Sequence, residues 1–101
     1  MNVAERFGEN LARIRREADV SQDELAARAS VHRTAISQLE RGLHVTRIDT
    51  LVKLAASLEA SPAELLAGIV WKPGTRRAGH FSPIQTTLGV PNGIRYAPQN
   101  G

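Results

Sequence analysis

The sequence predicts an all-α fold: five short helices over residues 1–68, followed by a Gly/Pro-rich C-terminal extension over residues 69–101. Three observations lead there. Of 101 residues 42% are hydrophobic but only 4% aromatic, so the core must be built from Leu, Ile, Val and Ala, whereas strands draw on aromatic and β-branched side chains. Apolar residues recur at steps of three and four, the period of one helix face. The pattern Ser-x-x-Glu occurs at Ser21–Glu24 and again at Ser61–Glu64, the signature of a capping box at a helix start. A chain of this length is expected to form a single domain of roughly 100 residues.

The first helix follows from Val3, Phe7, Leu11, Ile14 and Ala18, which lie in one apolar stripe. Ser21 then caps a second helix starting at Gln22, with Leu25, Ala26 and Ala29 as its buried face and Ala29-Ser30 at its end. A third begins at His32-Arg33-Thr34, turns Ile36 and Leu39 inward, and stops at Arg41-Gly42, where Gly42 suits a left-handed backbone. Thr46 offers a cap for a fourth helix with Ile48, Leu51, Val52, Ala55 and Leu58 as its apolar face. Pro62 suits the first position of a fifth, in which Leu65 and Leu66 face inward and which Gly68 stops.

Composition changes after Gly68. Residues 69–101 hold four prolines and five glycines and carry no helical period. Ile69-Val70-Trp71, His80-Phe81-Ser82 and the run from Ile84 to Leu88 read as short strands, and Pro91-Asn92-Gly93 as a turn. This segment is expected to be either a flexible tail or an ordered arm that pairs with a second subunit.

Net charge is +3, and its placement matters more than its sum. Acids exceed bases in residues 1–27 and 54–68. Arg28, Arg33, Arg41, Arg47 and Lys53 outnumber Glu40 and Asp49 in residues 28–53, and Lys72, Arg76, Arg77 and Arg95 meet no acid in the extension. A basic mid-chain face on an acidic body is the footprint expected for a polyanion partner. The absence of cysteine excludes a disulfide framework, a thiolate nucleophile and Cys-ligated metal. His32, His44 and His80 sit in separate elements with no second ligand at metal spacing. No catalytic residues, metal or cofactor are therefore expected, and the chain is read as not an enzyme. Glu5, Arg6 and Glu9 stand where a signal peptide would be apolar, so a cytoplasmic, nucleoid-associated protein is expected.

Residues 11–67 closely resemble the Cro/phage-repressor type of helix-turn-helix regulator, the xenobiotic-response-element family. The resemblance rests on Leu11-Ala12-Arg13-Ile14-Arg15, Ser21-Gln22-Asp23-Glu24-Leu25-Ala26, the run from Val31 to Gly42, and Asp49-Thr50-Leu51 through Leu58. It implies a lambda-repressor-like DNA-binding domain over residues 1–68, with residues 32–41 as the recognition helix in the major groove. Carried over by position, Arg33, Thr34, Ser37 and Gln38 would contact base edges, Arg33 as a bidentate partner of guanine. Geometry agrees, since burying Ile36 and Leu39 leaves positions 33, 34, 37, 38 and 41 on the outward arc. Gln22, Arg41, Thr46 and Arg47 would contact phosphates, Gln22 also bracing the recognition helix. Arg15 and Glu40 occupy the positions of a structural ion pair. The chain departs from the family at Ala29-Ser30, where a glycine is common, and at His32, where Ser or Thr usually caps.

The resemblance implies a sequence-specific, double-stranded DNA-binding transcriptional regulator. A homodimer on a pseudo-palindromic operator is expected, its half-sites roughly 34 Å apart, with Ile69, Val70, Trp71 and Phe81 as the apolar residues outside the core. The alternative is an antitoxin-like interaction module that neutralises a partner protein.

Overall fold

The structure, a computed structural model, describes residues 1–74 and 79–82. Five helices run in order: α1 (Val3–Glu17), α2 (Gln22–Ala29), α3 (Arg33–Glu40), α4 (Ile48–Ser57) and α5 (Pro62–Leu65). Two short strands follow, β1 (Val70–Lys72) and β2 (His80–Ser82), paired antiparallel with Trp71 opposite Phe81. Of the strands read from the extension, these two form. The Ile84–Leu88 strand, the Pro91-Asn92-Gly93 turn, Arg76, Arg77 and Arg95 lie outside the described residues.

Each helix sends one large aliphatic side chain, fully buried, to the centre: Leu11, Leu25, Ile36, Leu54 and Leu65. Around them α1 packs on α3 and α5, α2 on α3 and α4, and α4 on α5. The second and third helices thus meet each other and rest on two different neighbours. Truncating one such leucine to alanine costs about 2–5 kcal/mol.

Several expected faces are corrected. On α4, Ile48 and Val52 are exposed, and Leu54 joins Leu51, Ala55 and Leu58 in the core. Leu66 is exposed, unlike Leu65. Ala18 lies beyond the end of α1 and is exposed, while Val3 is half-buried. Ile69 is half-buried against the core, and Val70, Trp71 and Phe81 are the exposed large apolar residues of the extension among the described residues. The Trp71 and Phe81 rings meet edge to face, centroids 5.2 Å apart.

Caps show the same mixture. Ser21 Oγ accepts from the Glu24 N–H at 3.0 Å, but the Glu24 carboxylate pairs with Arg28 instead of reaching back, so this box is half made. At α5 the Glu64 carboxylate does accept from the Ser61 N–H, at 2.9 Å. A box absent from the expectations opens α1: Asn2 and Glu5 bond each other's backbone N–H, both at 2.9 Å. Thr46 caps nothing. Arg47 is the N-cap residue of α4 and makes no side-chain cap.

Four helices end alike. Asp19, Ser30, Gly42 and Glu59 adopt left-handed φ of 59°, 57°, 71° and 55°. After each, the next N–H donates to the carbonyl five residues back: Val20 to Arg15, Val31 to Ala26, Leu43 to Gln38 and Ala60 to Ala55, at 2.9–3.1 Å. Val20 is buried by this turn, and Val31 and Ala60 pack on the core. The missing glycine between α2 and α3 therefore leaves the turn in place, with Ser30 bearing the strain. Because Ser30 is exposed and its side chain makes no hydrogen bond among the described residues, Ser30→Gly is expected to stabilise the protein by about 0.5–1 kcal/mol. Thermal unfolding checks this, and an unchanged or lower Tm would show that no strain is stored there.

Candidate nucleic-acid interface

The polar face of α3 is fixed by what its other face and its two ends touch. Ile36 and Leu39 are buried, Arg33 and Thr34 are exposed, and Ser37 and Gln38 are half-buried. Arg41 follows the helix and is exposed. The outward arc expected from the helical period is thus most open in the first turn of α3. His32, also exposed, is the N-cap residue and makes no side-chain cap.

The far end of α3 is locked by a compact polar cluster. Arg15 from α1 holds the Glu40 carboxylate with two parallel hydrogen bonds, Nε to Oε2 at 2.6 Å and Nη2 to Oε1 at 2.9 Å. Its Nη1 donates to the Val20 carbonyl at 2.9 Å. Both side chains are close to buried, 11% and 6% exposed, and bidentate geometry is the strongest such pairing. The hydrogen bond to Glu40 raises the Arg15 pKa above its ordinary value, against the opposing effect of burial. Gln22, the first residue of α2, completes the cluster by donating from Nε2 to Glu40 Oε1 at 2.9 Å. One carboxylate at the end of α3 therefore receives donors from α1 and α2 together. The bracing contact expected of Gln22 is made to Glu40, and its Oε1 has no partner among the described residues.

Two supporting contacts of α1, one under α3 and one under α5, were missed in the sequence. Gly8 lies under the end of α3, where an added Cβ would sit 2.3 Å from the Leu39 carbonyl oxygen and 2.8 Å from that of Glu40. Asn10, 1% exposed, donates from Nδ2 to the carbonyls of Leu65 and Ala67 at 2.9 and 2.8 Å, satisfying the end of α5 from α1. A glycine within an otherwise periodic helix is a visible signal of close approach; a lone Asn on the apolar side of α1 was the corresponding signal at position 10. Arg28, counted in the basic mid-chain segment, is exposed and donates to the Ser57 carbonyl at the end of α4, at 3.1 Å.

The remaining candidates occupy the segment after α3. Thr46 is half-buried, its hydroxyl near the Arg47 carbonyl at 3.4 Å. Arg47, exposed, pairs with Asp49 at 3.1 and 3.2 Å. The Thr50 N–H above all, with Arg47 adding to it, holds the exposed Asp49 carboxyl below the usual carboxylate range. The Ile48 and Asp49 N–H groups at the start of α4 make no hydrogen bond among the described residues, which leaves them available to an anion.

Two adjoining helices, the second with its apolar side buried and its end clamped while its first turn projects outward, define a helix-turn-helix nucleic-acid-binding domain. The chain belongs to the helix-turn-helix family, which matches residues 11–65. It is similar to the HTH-type transcriptional regulator y4dJ of Sinorhizobium fredii, with 38% identity over 77 residues that span 75% of this chain and 100% of that one. Among solved structures it is similar to the restriction-modification controller protein C.AhdI from Aeromonas hydrophila: TM-score 0.60, 31% identity, 61% of this chain and 94% of that one. It is also similar to SinR, a master regulator for biofilm formation solved in complex with DNA: TM-score 0.58, 34% identity, 59% of this chain and 97% of that one.

Proposed function

We propose that this helix-turn-helix regulator reads duplex DNA through α3, with Arg33, Thr34, Ser37 and Gln38 on base edges and Gln22, Arg41, Thr46 and Arg47 on phosphates. The observation that carries the reading is the clamped α3: its apolar face is sunk in the core, Glu40 is held from two other helices, and Arg33 and Thr34 are exposed at the opposite end. A rigid support beneath an exposed polar turn is what base readout requires. The protein acts by binding and not by catalysis, in the cytoplasm on the nucleoid. No helix among the described residues is long and apolar enough to cross a membrane.

Base and phosphate contacts predict different losses. Arg33→Ala is expected to relax preference at one base pair, by about 1–3 kcal/mol, because a bidentate guanine contact is lost. Arg47→Ala is expected to weaken all sequences alike and to reduce the salt slope by about one. Selection of bound sequences from a random duplex pool, repeated with each variant, tests the assignment. Identical profiles for the two variants would remove it, and binding indifferent to salt would remove the DNA reading itself.

A homodimer on a pseudo-palindromic operator fits the small footprint of one α3. The Trp71–Phe81 hairpin, apolar and exposed beside Val70, supports a second copy as the partner. Sedimentation of the full chain with and without DNA should show a dimer; a monomer under both conditions rules it out.

A further inference from the structure

Asp23 stands in the first turn of α2, and its Oδ1 lies 3.2 Å from Nε of Arg33, the first residue of α3. Both side chains are open to water, 80% and 62% exposed. An ion pair this exposed adds little to stability. Its placement is less ordinary. A carboxylate beside the base-reading turn repels the phosphates of an approaching duplex, so it lowers affinity for DNA of any sequence.

The contact engages the Arg33 guanidinium through Nε. The approach is a charge contact, and among the described residues the Arg33 guanidinium donates no side-chain hydrogen bond, so its two terminal nitrogens are left to a base edge. Those two nitrogens are the pair that meets O6 and N7 of guanine end-on. An exposed arginine without a second contact samples many rotamers and can turn to a phosphate as readily as to a base. A carboxylate 3.2 Å from Nε favours the rotamers that keep the guanidinium beside it before DNA arrives, and disfavours those that settle on the DNA backbone.

We propose that Asp23 is a specificity-determining positioning residue, which holds Arg33 for guanine at the expense of overall DNA affinity. The inference rests on Arg33 being the guanine reader. It carries a signature that a merely structural role lacks, because affinity and selectivity move in opposite directions when the carboxylate is neutralised.

The test uses the full chain and an operator obtained by selection from random duplex, with every single base-pair variant of that operator and an unrelated duplex as probes. Asp23→Asn is expected to raise affinity for the unrelated duplex, while discrimination at the Arg33-dependent base pair falls by roughly three- to tenfold. Discrimination at other positions should not change. Glu24→Gln, the same charge change one residue along, should raise unspecific affinity and leave the Arg33-dependent position intact. In an Arg33→Ala background Asp23→Asn should have no further effect on discrimination. Because discrimination is a ratio measured on one preparation, partial unfolding does not imitate it. The proposal is overturned if Asp23→Asn keeps full discrimination, if the loss spreads over all positions, or if it persists without Arg33. If Arg33→Ala itself alters no position, the base-reading assignment of Arg33 fails and Asp23 loses its role with it. Relaxation by Arg33→Ala with none by Asp23→Asn sinks the Asp23 proposal alone.

Discussion

Gly8→Ala is expected to destabilise the protein by about 2 kcal/mol even though alanine is the better helix former. In isolation the substitution would favour α1 by roughly 1 kcal/mol, because glycine loses more backbone freedom on folding. The added methyl carbon, however, would sit 2.3 Å from the Leu39 carbonyl oxygen and 2.8 Å from that of Glu40. Both are backbone atoms of α3, so no side chain can swing aside, and relief requires the two helices to part. Overpacking of this kind costs about 1–3 kcal/mol and sometimes more, which outweighs the propensity gain. Thermal unfolding should show Tm lower by on the order of 10 °C. DNA affinity should fall further than the unfolded fraction accounts for, since the displaced element is the one that bears Arg33. A variant with an unchanged or raised Tm would mean that α1 and α3 are not in contact at this point.

That close approach shows where the sequence was informative and where it was not. Helix order, the Gly42 stop and the buried pair Ile36 and Leu39 follow from period and caps, because each is decided by residues within a turn or two of one another. The α4 face could not be settled that way. Ile48, Leu51, Val52, Ala55 and Leu58 satisfy a helical stripe as well as Leu51, Leu54, Ala55 and Leu58 do, since apolar residues surround much of this helix. The choice is made by α2 and α5, which pack against one side and leave Ile48 76% exposed. Thr46 misled for a related reason: it is a good capping residue, but the helix begins one position later, with Arg47 as its cap residue.

For the candidate site, the outward arc of α3 was legible and its supports were only partly so. Arg15 and Glu40 are separated by 25 positions, and no local pattern joins them; their pairing came from family resemblance. Asp23 opposite Arg33 and Asn10 beneath the end of α5 arise from long-range packing, which periodicity does not encode. Ser30 illustrates the converse. The family resemblance implies a glycine-type turn between α2 and α3, and the chain adopts a left-handed conformation there at Ser30, a residue poorly suited to it.

Glu40→Ala is expected to cost about 3–5 kcal/mol, the largest single loss among the exposed or half-exposed positions of the interface. It would leave the Arg15 guanidinium, 11% exposed, with its charge uncompensated and only the Val20 carbonyl still bonded. Gln22 Nε2 would lose its acceptor as well. A pH titration is no substitute for the mutation on the arginine side. The Arg15 pKa is raised in the folded state, so the stabilisation it supplies is fully present below the unfolded arginine pKa and is lost only as pH rises through the still higher folded value. Mutation of both partners separates charge from position. The double substitution Arg15→Met with Glu40→Leu removes the stranded charge and is expected to recover most of the lost stability, since apolar replacements of buried pairs are often neutral or better. It cannot recover the convergence of α1 and α2 on one carboxylate at the end of α3. Affinity for the selected operator should therefore remain below that of the unmodified protein when both are measured fully folded. A double variant that regains stability and affinity together would assign the orientation of α3 to Ile36, Leu39 and the Gly8 contact, with the ion pair adding nothing beyond its own neutralisation.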